Sequence, residues 1–451
     1  MKILQFCTYD RGGGAETVAM DLLHAYQALG HDVRMIVRHK KGAHPQVLEA
    51  DPYQHTAPWG PAAAAADRWV ATQQRFRGQY RVRDWLQRSA WPQRWINHFS
   101  GAEDFSYPAS QHVLDDQWCP DVIHAHNLHG DYFDLRALAP LSQRVPVIWT
   151  LHDTWALTGH CAYFIDCPRW QHGCGVCPDL QRAPAIRADR TAENWQRKRA
   201  IYAQSRLAIA TPSQWLLDLV GQSMLKPWQQ QVIPNGVDTR IYTIGDRQAA
   251  RAALDIPADA FVVLYIAASV SSHNPYKDAA TVVQAARQLA STHSDAPLLL
   301  IRIGAGGEPE SDPRFRSTGY LADPQLIAQY YRAADLLLHA ANADNYPCVI
   351  QEALACGTPV IATAVGGVPE QIHDGDNGFL VARGDSAAMA ARMGELLNTP
   401  ERLHALRAST AAHAARMLST VACAERYLRW FTELRQTYAA EGSVWAPISS
   451  H

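Results

Sequence analysis

The chain has 451 residues, 47% of them hydrophobic and 19% charged, with a formal net charge of −2. That length predicts two domains rather than one core, and the composition is that of a soluble globular protein. The near-neutral balance argues against a nucleic-acid binder, and no apolar run reaches the roughly 18–20 residues that span a bilayer. The opening MKILQFCTYDRGGG reads as a strand running into a turn, without the apolar stretch and cleavage site of a signal peptide. A cytoplasmic location is therefore expected, with the nine cysteines reduced or metal-bound.

In chain order, KILQFCTY (Lys2–Tyr9) reads as a buried strand. The Gly12–Gly14 loop follows, then a helix over ETVAMDLLHAYQALG that Gly30 stops. HDVRMIVR, DVIHAH, VPVIWTLHD, RLAIATPS and QQVIPNG are the next strands. Strand–helix alternation of this kind implies an α/β fold with a parallel sheet covered on both faces. Ile233–Phe261 is rich in turn residues and reads as a linker. A second alternation follows, with strands FVVLYIAA, PLLLIRIGAG, DLLLHAA, TPVIATAV and GFLVAR. Two facing doubly wound domains leave a ligand cleft at the carboxyl ends of their strands.

Two segments fall outside the alternation. Residues 42–118 contain Arg75–Trp95, with six arginines, one acid and five aromatics. That piece reads either as an interfacial or acceptor-binding insertion or as a solvated hairpin with arginines stacked on aromatics. The segment 158–180 carries Cys161, Cys167, Cys174 and Cys177, the last pair as C-x-x-C. Its sharper reading is a structural zinc knuckle; packed free thiols, disulfides or an iron–sulfur cluster are the alternatives.

The stretch ADNYPCVIQEALACGTPVIATAVGGVPE places Asp344 eight positions before Glu352. Pro347 suits a first helical turn and Gly357 a stop. The N–H groups at Tyr346, Pro347, Cys348 and Val349 lie at that start (proline contributing none), and with the helix dipole they make a phosphate seat. Glu352, about one turn on, can accept both hydroxyls of a ribose, and Asp344 can reach a sugar beyond the phosphates. On spacing alone, a capping acid and a surface acid explain the pair equally well.

The surrounding motifs resemble the retaining GT-B glycosyltransferases of family 4 (glycosyltransferase group 1). The matching residues are Asp344, Glu352, EALACGTPVIAT, Gly366, Gly367 and Glu370. GGGAETVAMDLLHAYQALGHDVRMIV, VIHAHN, TLHD, VIPNGVDTRIY and STGYLADPQLIAQYYRAADLLLHAA match in the same order. The first acid of the pair is usually glutamate; here it is aspartate. The resemblance implies two Rossmann-like domains facing a cleft: an acceptor-binding domain over 1–240 and a nucleotide-sugar domain over 241–424. The segment 425–451 would return to the first domain.

It further implies transfer of a sugar from a UDP- or GDP-sugar to a saccharide acceptor, lipid-linked, in bacterial polysaccharide biosynthesis, with no catalytic metal. The HD-W--TG-C segment points to the exopolysaccharide, colanic-acid-type subgroup, and peripheral contact with the inner membrane accompanies that expectation. Lys277 would offset the diphosphate charge, with Ser271 or Ser272 in place of the arginine many relatives carry. His152 would point at the donor sugar with Asp153 beside it, and His126 is a second candidate. Gly13 and Gly14 would admit backbone to the reacting centre, and Asp344 and Glu370 would lie near the donor sugar or its loop. A dinucleotide reading of the glycine loop fails, because G-x-G-x-x-G is broken at Thr17 and no acid ends the second strand. The rivals are a non-hydrolysing nucleotide-sugar epimerase and a silent nucleotide-sugar sensor.

Overall fold

A computed structural model describes residues 1–53, 58–73, 76, 78–107, 110, 113, 114, 118–269, 274–306 and 311–441. Ser271 and Ser272 lie outside the described residues.

The apolar runs of the first half become β1 (Lys2–Tyr9), β2 (Asp32–His39), β3 (Val47–Glu49), β4 (Val122–Ala125), β5 (Val147–Thr150), β6 (Leu207–Thr211) and β7 (Gln229–Val232). All neighbours pair in parallel, in the order β3-β2-β1-β4-β5-β6-β7. The helices are α1 (Gly14–Ala28), α2 (Gly60–Thr72), α3 (Gln79–Ser89), α4 (Pro92–Ser100), α5 (Leu138–Arg144), α6 (Thr191–Tyr202) and α7 (Gln214–Gln222). Every residue of β4, β5 and β6 is buried, as strands covered on both faces require.

The second half repeats the plan with β8 (Phe261–Ser269), β9 (Leu298–Ala305), β10 (Phe315–Gly319), β11 (Leu336–His339), β12 (Val360–Thr363) and β13 (Gly378–Val381), ordered β10-β9-β8-β11-β12-β13. Its helices are α8 (Arg247–Ala253), α9 (Ala279–Thr292), α10 (Pro324–Ala333), α11 (Cys348–Ala355), α12 (Ser386–Asn398), α13 (Pro400–Ala414) and α14 (Thr420–Ala440). In both sheets the order reverses beside the first strand, at β1/β4 and β8/β11, and such a switch point opens a crevice at the strand ends.

The turn-rich segment between the sheets contains α8, which the linker reading did not include. RQAARAA is built of strong helix formers, and the Asp246 carboxylate caps it by accepting from the N–H groups of Gln248 and Ala249. α14 crosses back to the first sheet. Tyr427, Trp430 and Phe431 are buried there with Leu22, Tyr26 and Ile148. The Tyr427 hydroxyl bonds Thr150 at 2.9 Å, and the Tyr438 hydroxyl donates to the Ser142 carbonyl at 2.8 Å. Among the described residues no helix is long and apolar enough to cross a membrane.

Candidate active site

α11 begins at the crevice of the second sheet. Pro347 is its N-cap, in extended backbone, and the helix proper starts at Cys348. Among the described residues the N–H groups of Cys348 and Val349 find no acceptor within the protein. Two free donors at the positive end of a helix suit an anion. Linker residues hold this end in place: Gln351 Nε2 donates to the Asn235 carbonyl at 2.6 Å, and Asn235 Nδ2 to the Tyr346 carbonyl at 3.4 Å. A left-handed Gly357 follows the helix end.

Asp344 lies in the loop before α11, and Lys277 lies just before α9. The isolated bridge between Lys277 and Ala341 brings the two loops together, and the Lys277 ammonium donates to Asp344 Oδ2. His339, at the end of β11, sets Nε2 3.3 Å from the same oxygen, and the Asn345 N–H donates to Oδ1 at 2.9 Å. Burial pushes the Asp344 carboxyl up. The Lys277 charge and the His339 hydrogen bond more than reverse this, so it stays well below the ordinary carboxylate range. The cation expected to face a diphosphate is thus partnered by the acid expected to face the sugar.

Glu352 has the opposite character. It lies on the second turn of α11, half-buried, with one oxygen accepting the Tyr331 hydroxyl at 2.8 Å. Burial raises its carboxyl to about 7, although the tyrosine bond favours the anion. The Asp21 carboxylate on α1 adds to the rise and is itself raised to about 7, by burial and then by Asp238. Two acids from opposite domains therefore share a site in which neither ionises freely.

Three histidines line the ends of β4 and β5. His126 Nδ1 is 3.0 Å from His152 Nε2, and the two rings stack with centroids 5.3 Å apart. His126 Nε2 meets Gln5 Nε2 at 3.3 Å, and His124 bonds Tyr26 and Thr150. Burial lowers His152 to about 4 and His124 to about 3, so these rings are neutral at physiological pH. His129 lies 3.2 Å from Asp153, which spends its other oxygen on the Trp155 N–H. Asn345 joins this group to the acidic loop, its Nδ2 donating to the His152 carbonyl at 3.2 Å and its Oδ1 accepting from Ser213.

The glycines act by allowing close approach. A Cβ on Gly366, whose φ is +55°, would overlap the Asp344 carbonyl, and one on Gly367 would overlap the Asn345 carbonyl. Gly14 faces Cys348 across the cleft, where a Cβ would stand 3.7 Å from Sγ. A Cβ on Gly13 would meet the Glu16 carboxylate. Glu370, on the glycine-pair loop, has a partner across the cleft. Its two oxygens accept the N–H groups of Gln214 and Trp215 at 2.8 and 2.7 Å, so it caps α7 of the other domain. An acid three positions beyond Gly367 reaches that helix start because the glycine pair lets its loop lie against Ser213.

The cysteine segment departs from the zinc expectation. Cys161, Cys167, Cys174 and Cys177 are all free. Among the described residues no group of three or more His, Cys, Asp or Glu side chains is arranged to hold a metal ion. The thiols border a slit of about 20 Å³ that Phe164 and Trp170 also line, and two of the sulfurs have partners within the segment. Cys174 accepts the Gly159 N–H at 3.3 Å, and Cys177 contacts His160 at 3.3 Å. Two larger cavities flank the site. One of about 410 Å³ lies between the domains against Thr154, Tyr163, Trp215, Ala343, Gly366 and Arg383. The other, about 280 Å³, lies in the first domain against Arg38, Arg88, His98, His129, Asp131 and Trp155.

A family model described as Glycosyltransferase Family 4 matches residues 12–241, just over half of the chain. The chain belongs to that family. A second model, Glycosyl transferases group 1, matches residues 260–399, so every strand of both sheets in the family 4 chain except β1 lies within a matched range. A colanic acid biosynthesis glycosyl transferase of Escherichia coli K12, WcaC, is 28% identical over 54% of this chain and 60% of its own length. A D-inositol 3-phosphate glycosyltransferase of Catenulispora acidiphila is 32% identical over 65% of this chain and 68% of its own. The chain thus spans less than two thirds of the first of these relatives and just over two thirds of the second. Anabaena HepE, solved with UDP and glucose, superposes with a TM-score of 0.61 over 96% of this chain and all of HepE, at 19% identity. Sucrose-phosphate synthase of Thermosynechococcus elongatus gives 0.63 over 97% and 99%, also at 19%. These likenesses establish the GT-B fold.

Within this family 4 site, Asp344, Lys277, the α11 start, Glu352 and the glycine pair lie around one end of α11. His152 reaches the group through Asn345. Reading the sequence missed His339, Tyr331, Asp21 and Asn345. His339 had a signal, a histidine closing the apolar run LLLH at a sheet's carboxyl end. Tyr331 lay inside the matching stretch STGYLADPQLIAQYYRAADLLLHAA, where nothing named Glu352 as its partner. Asp21 had no signal, because helical spacing does not say which residue crosses to a neighbouring domain.

Proposed function

We propose that this family 4 chain transfers a sugar from a UDP- or GDP-linked donor to a lipid-linked saccharide acceptor, with retention of configuration, in the assembly of a bacterial surface polysaccharide. The observation that carries the reading is the convergence of free α11 N–H groups, the Lys277–Asp344 pair and Glu352 at the switch point of the second sheet. In this reading the diphosphate sits on the Cys348 and Val349 N–H groups, and Glu352 accepts the ribose hydroxyls. Asp344 is held ionised by Lys277 and His339, and it orients hydroxyls of the donor sugar. HepE, which shares the fold, was solved with UDP-glucose, and this favours UDP among the donors.

Negative charge grows on the diphosphate as the glycosidic bond breaks. The α11 dipole and its N–H groups meet it without rearrangement, and the Lys277 charge lies behind them, so the reading asks for no metal. Neutral His152 can hydrogen-bond a sugar hydroxyl without adding charge. No side chain in the site is proposed as a nucleophile; the acceptor hydroxyl enters on the face the diphosphate leaves, and the leaving phosphate oxygen takes its proton. The first domain, with its 280 Å³ cavity, receives the acceptor.

A panel of UDP- and GDP-sugars, each with and without a lipid-linked saccharide, tests this. Transfer from one donor only when acceptor is present is the expected result. Isomerised free sugar nucleotide, or tight binding without turnover, would overturn it.

A further inference from the structure

Soluble helices bury their apolar stripe and show water their polar one. In α3 and α4 this order is inverted. The residues α3 buries are Gln79, Arg83 and Gln87, at a spacing of four, and α4 buries Arg94. Arg83 is 6% exposed and bonds Asp67 and Glu49. Arg94, 1% exposed, donates to the carbonyls of Gln87, Pro52 and Ser106. The outward side instead carries Trp69 at 66%, Trp85 at 56%, Ile96 at 58% and Phe99 at 56% exposure. Trp59 is exposed too and ties itself to the end of α3 by donating to the Ser89 carbonyl at 2.8 Å. Of the thirteen large hydrophobic side chains exposed among the described residues, seven fall between residues 59 and 99.

The geometry points to a membrane-docking face: α2, α3 and α4 lie on an anionic lipid bilayer with Trp69, Trp85, Ile96 and Phe99 in the interface. Charge selects a bilayer over other apolar partners. The only acids between residues 60 and 100 are Asp67 and Asp84. Both face inward, Asp67 against Arg83 and Asp84 against Arg38 and His39. Arg68 and Arg81 are exposed beside the aromatics, and the Arg187 guanidinium lies 5.1 Å from the Phe99 ring. Exposed tryptophans among arginines over an apolar face are the makeup of an interfacial helix. α3 and α4 also line the 280 Å³ cavity from within, through Arg88, Arg94, Asn97 and His98. A substrate lifted from the bilayer would therefore enter that cavity without crossing water. The docking itself does not rest on the sugar-transfer reading.

Flotation of the purified full-length chain with phosphatidylcholine vesicles tests this, with and without about one third phosphatidylglycerol. Binding to the anionic vesicles is expected, with a loss of about tenfold or more in the Trp85→Ser/Ile96→Ser variant. Arg81→Glu should weaken binding to anionic vesicles and leave the neutral ones unaffected. Thermal unfolding of each variant, expected at the wild-type temperature, separates a surface effect from misfolding. Three results would overturn the docking: a wild type that does not float, a double variant that floats like the wild type, or a dimer in solution that the double variant splits. Transfer measured on a soluble acceptor in the same variants keeps the two readings apart, since docking can fail while transfer stands.

Discussion

Asp344 is the residue whose chemistry turns on its neighbours. Its shorter arm, where the family more often has glutamate, brings the carboxylate against both Lys277 and His339. Asp344→Asn removes the charge that both partners hold, and a charged hydrogen bond contributes about 1.5–3 kcal/mol, so a loss of at least about tenfold in kcat/KM is expected. Steady-state kinetics with the active donor measure it. Glu352 gives a pH signature displaced upward from that of an ordinary carboxylate. With its carboxyl near 7, it is largely protonated below neutrality and becomes the better hydroxyl acceptor as pH rises. Donor affinity should therefore increase from about pH 6 to about pH 8, and Glu352→Gln should flatten the profile. Glu352→Ala should weaken donor binding by about 10–100-fold at the upper end, read by calorimetry.

At the scale of elements, the Glu370 cap ties the glycine-pair loop of the second sheet to α7 of the first domain. Glu370→Ala leaves two helix-start N–H groups without their acceptor, which costs about 1 kcal/mol and loosens the contact between domains. A raised KM for the acceptor and faster amide exchange at Gln214 and Trp215 are the expected readouts. The three histidines make the ends of β4 and β5 sensitive to acid. Their folded pKa values lie below the ordinary 6.5, so between 6.5 and about 4 the unfolded chain binds protons that the folded chain refuses. Their contribution to stability is complete above 6.5 and is lost as pH falls through that window. Thermal melts should show the decline starting near pH 6.5, and replacing His124 with a neutral residue that keeps the Thr150 bond should reduce it.

How much of this was legible follows from the same elements. Continuous apolar runs such as VIHA and LLLH announce buried parallel strands. β3 is only VLE and β10 is FRSTG, too short or too polar to stand out. α11 was legible from Pro347 and Gly357. The inverted faces of α3 and α4 were not, because arginine and aromatic residues alternate there and a sequence does not say which of them turns inward.

At the scale of the whole molecule, two sheets with four apolar layers are joined by the linker and by α14. Phe431 is fully buried against Tyr26 and His124, so Phe431→Ala should cost about 3–5 kcal/mol and lower the unfolding temperature of the first domain more than that of the second. Calorimetry that resolves the two transitions, and the donor's stabilising effect on the second, would check it.

The return of α14 also has a consequence for biosynthesis. The side of the first sheet that packs on Tyr427, Trp430 and Phe431 is completed by residues that follow the second domain in the chain. Until the second domain has been made, that flank of β1, β4 and β5 is covered by α1 without α14, and part of it stands open. The first domain is therefore sealed only after the second has been made. A nascent chain stalled before residue 420 should expose that flank to chaperones, even though every strand of its sheet has already been made.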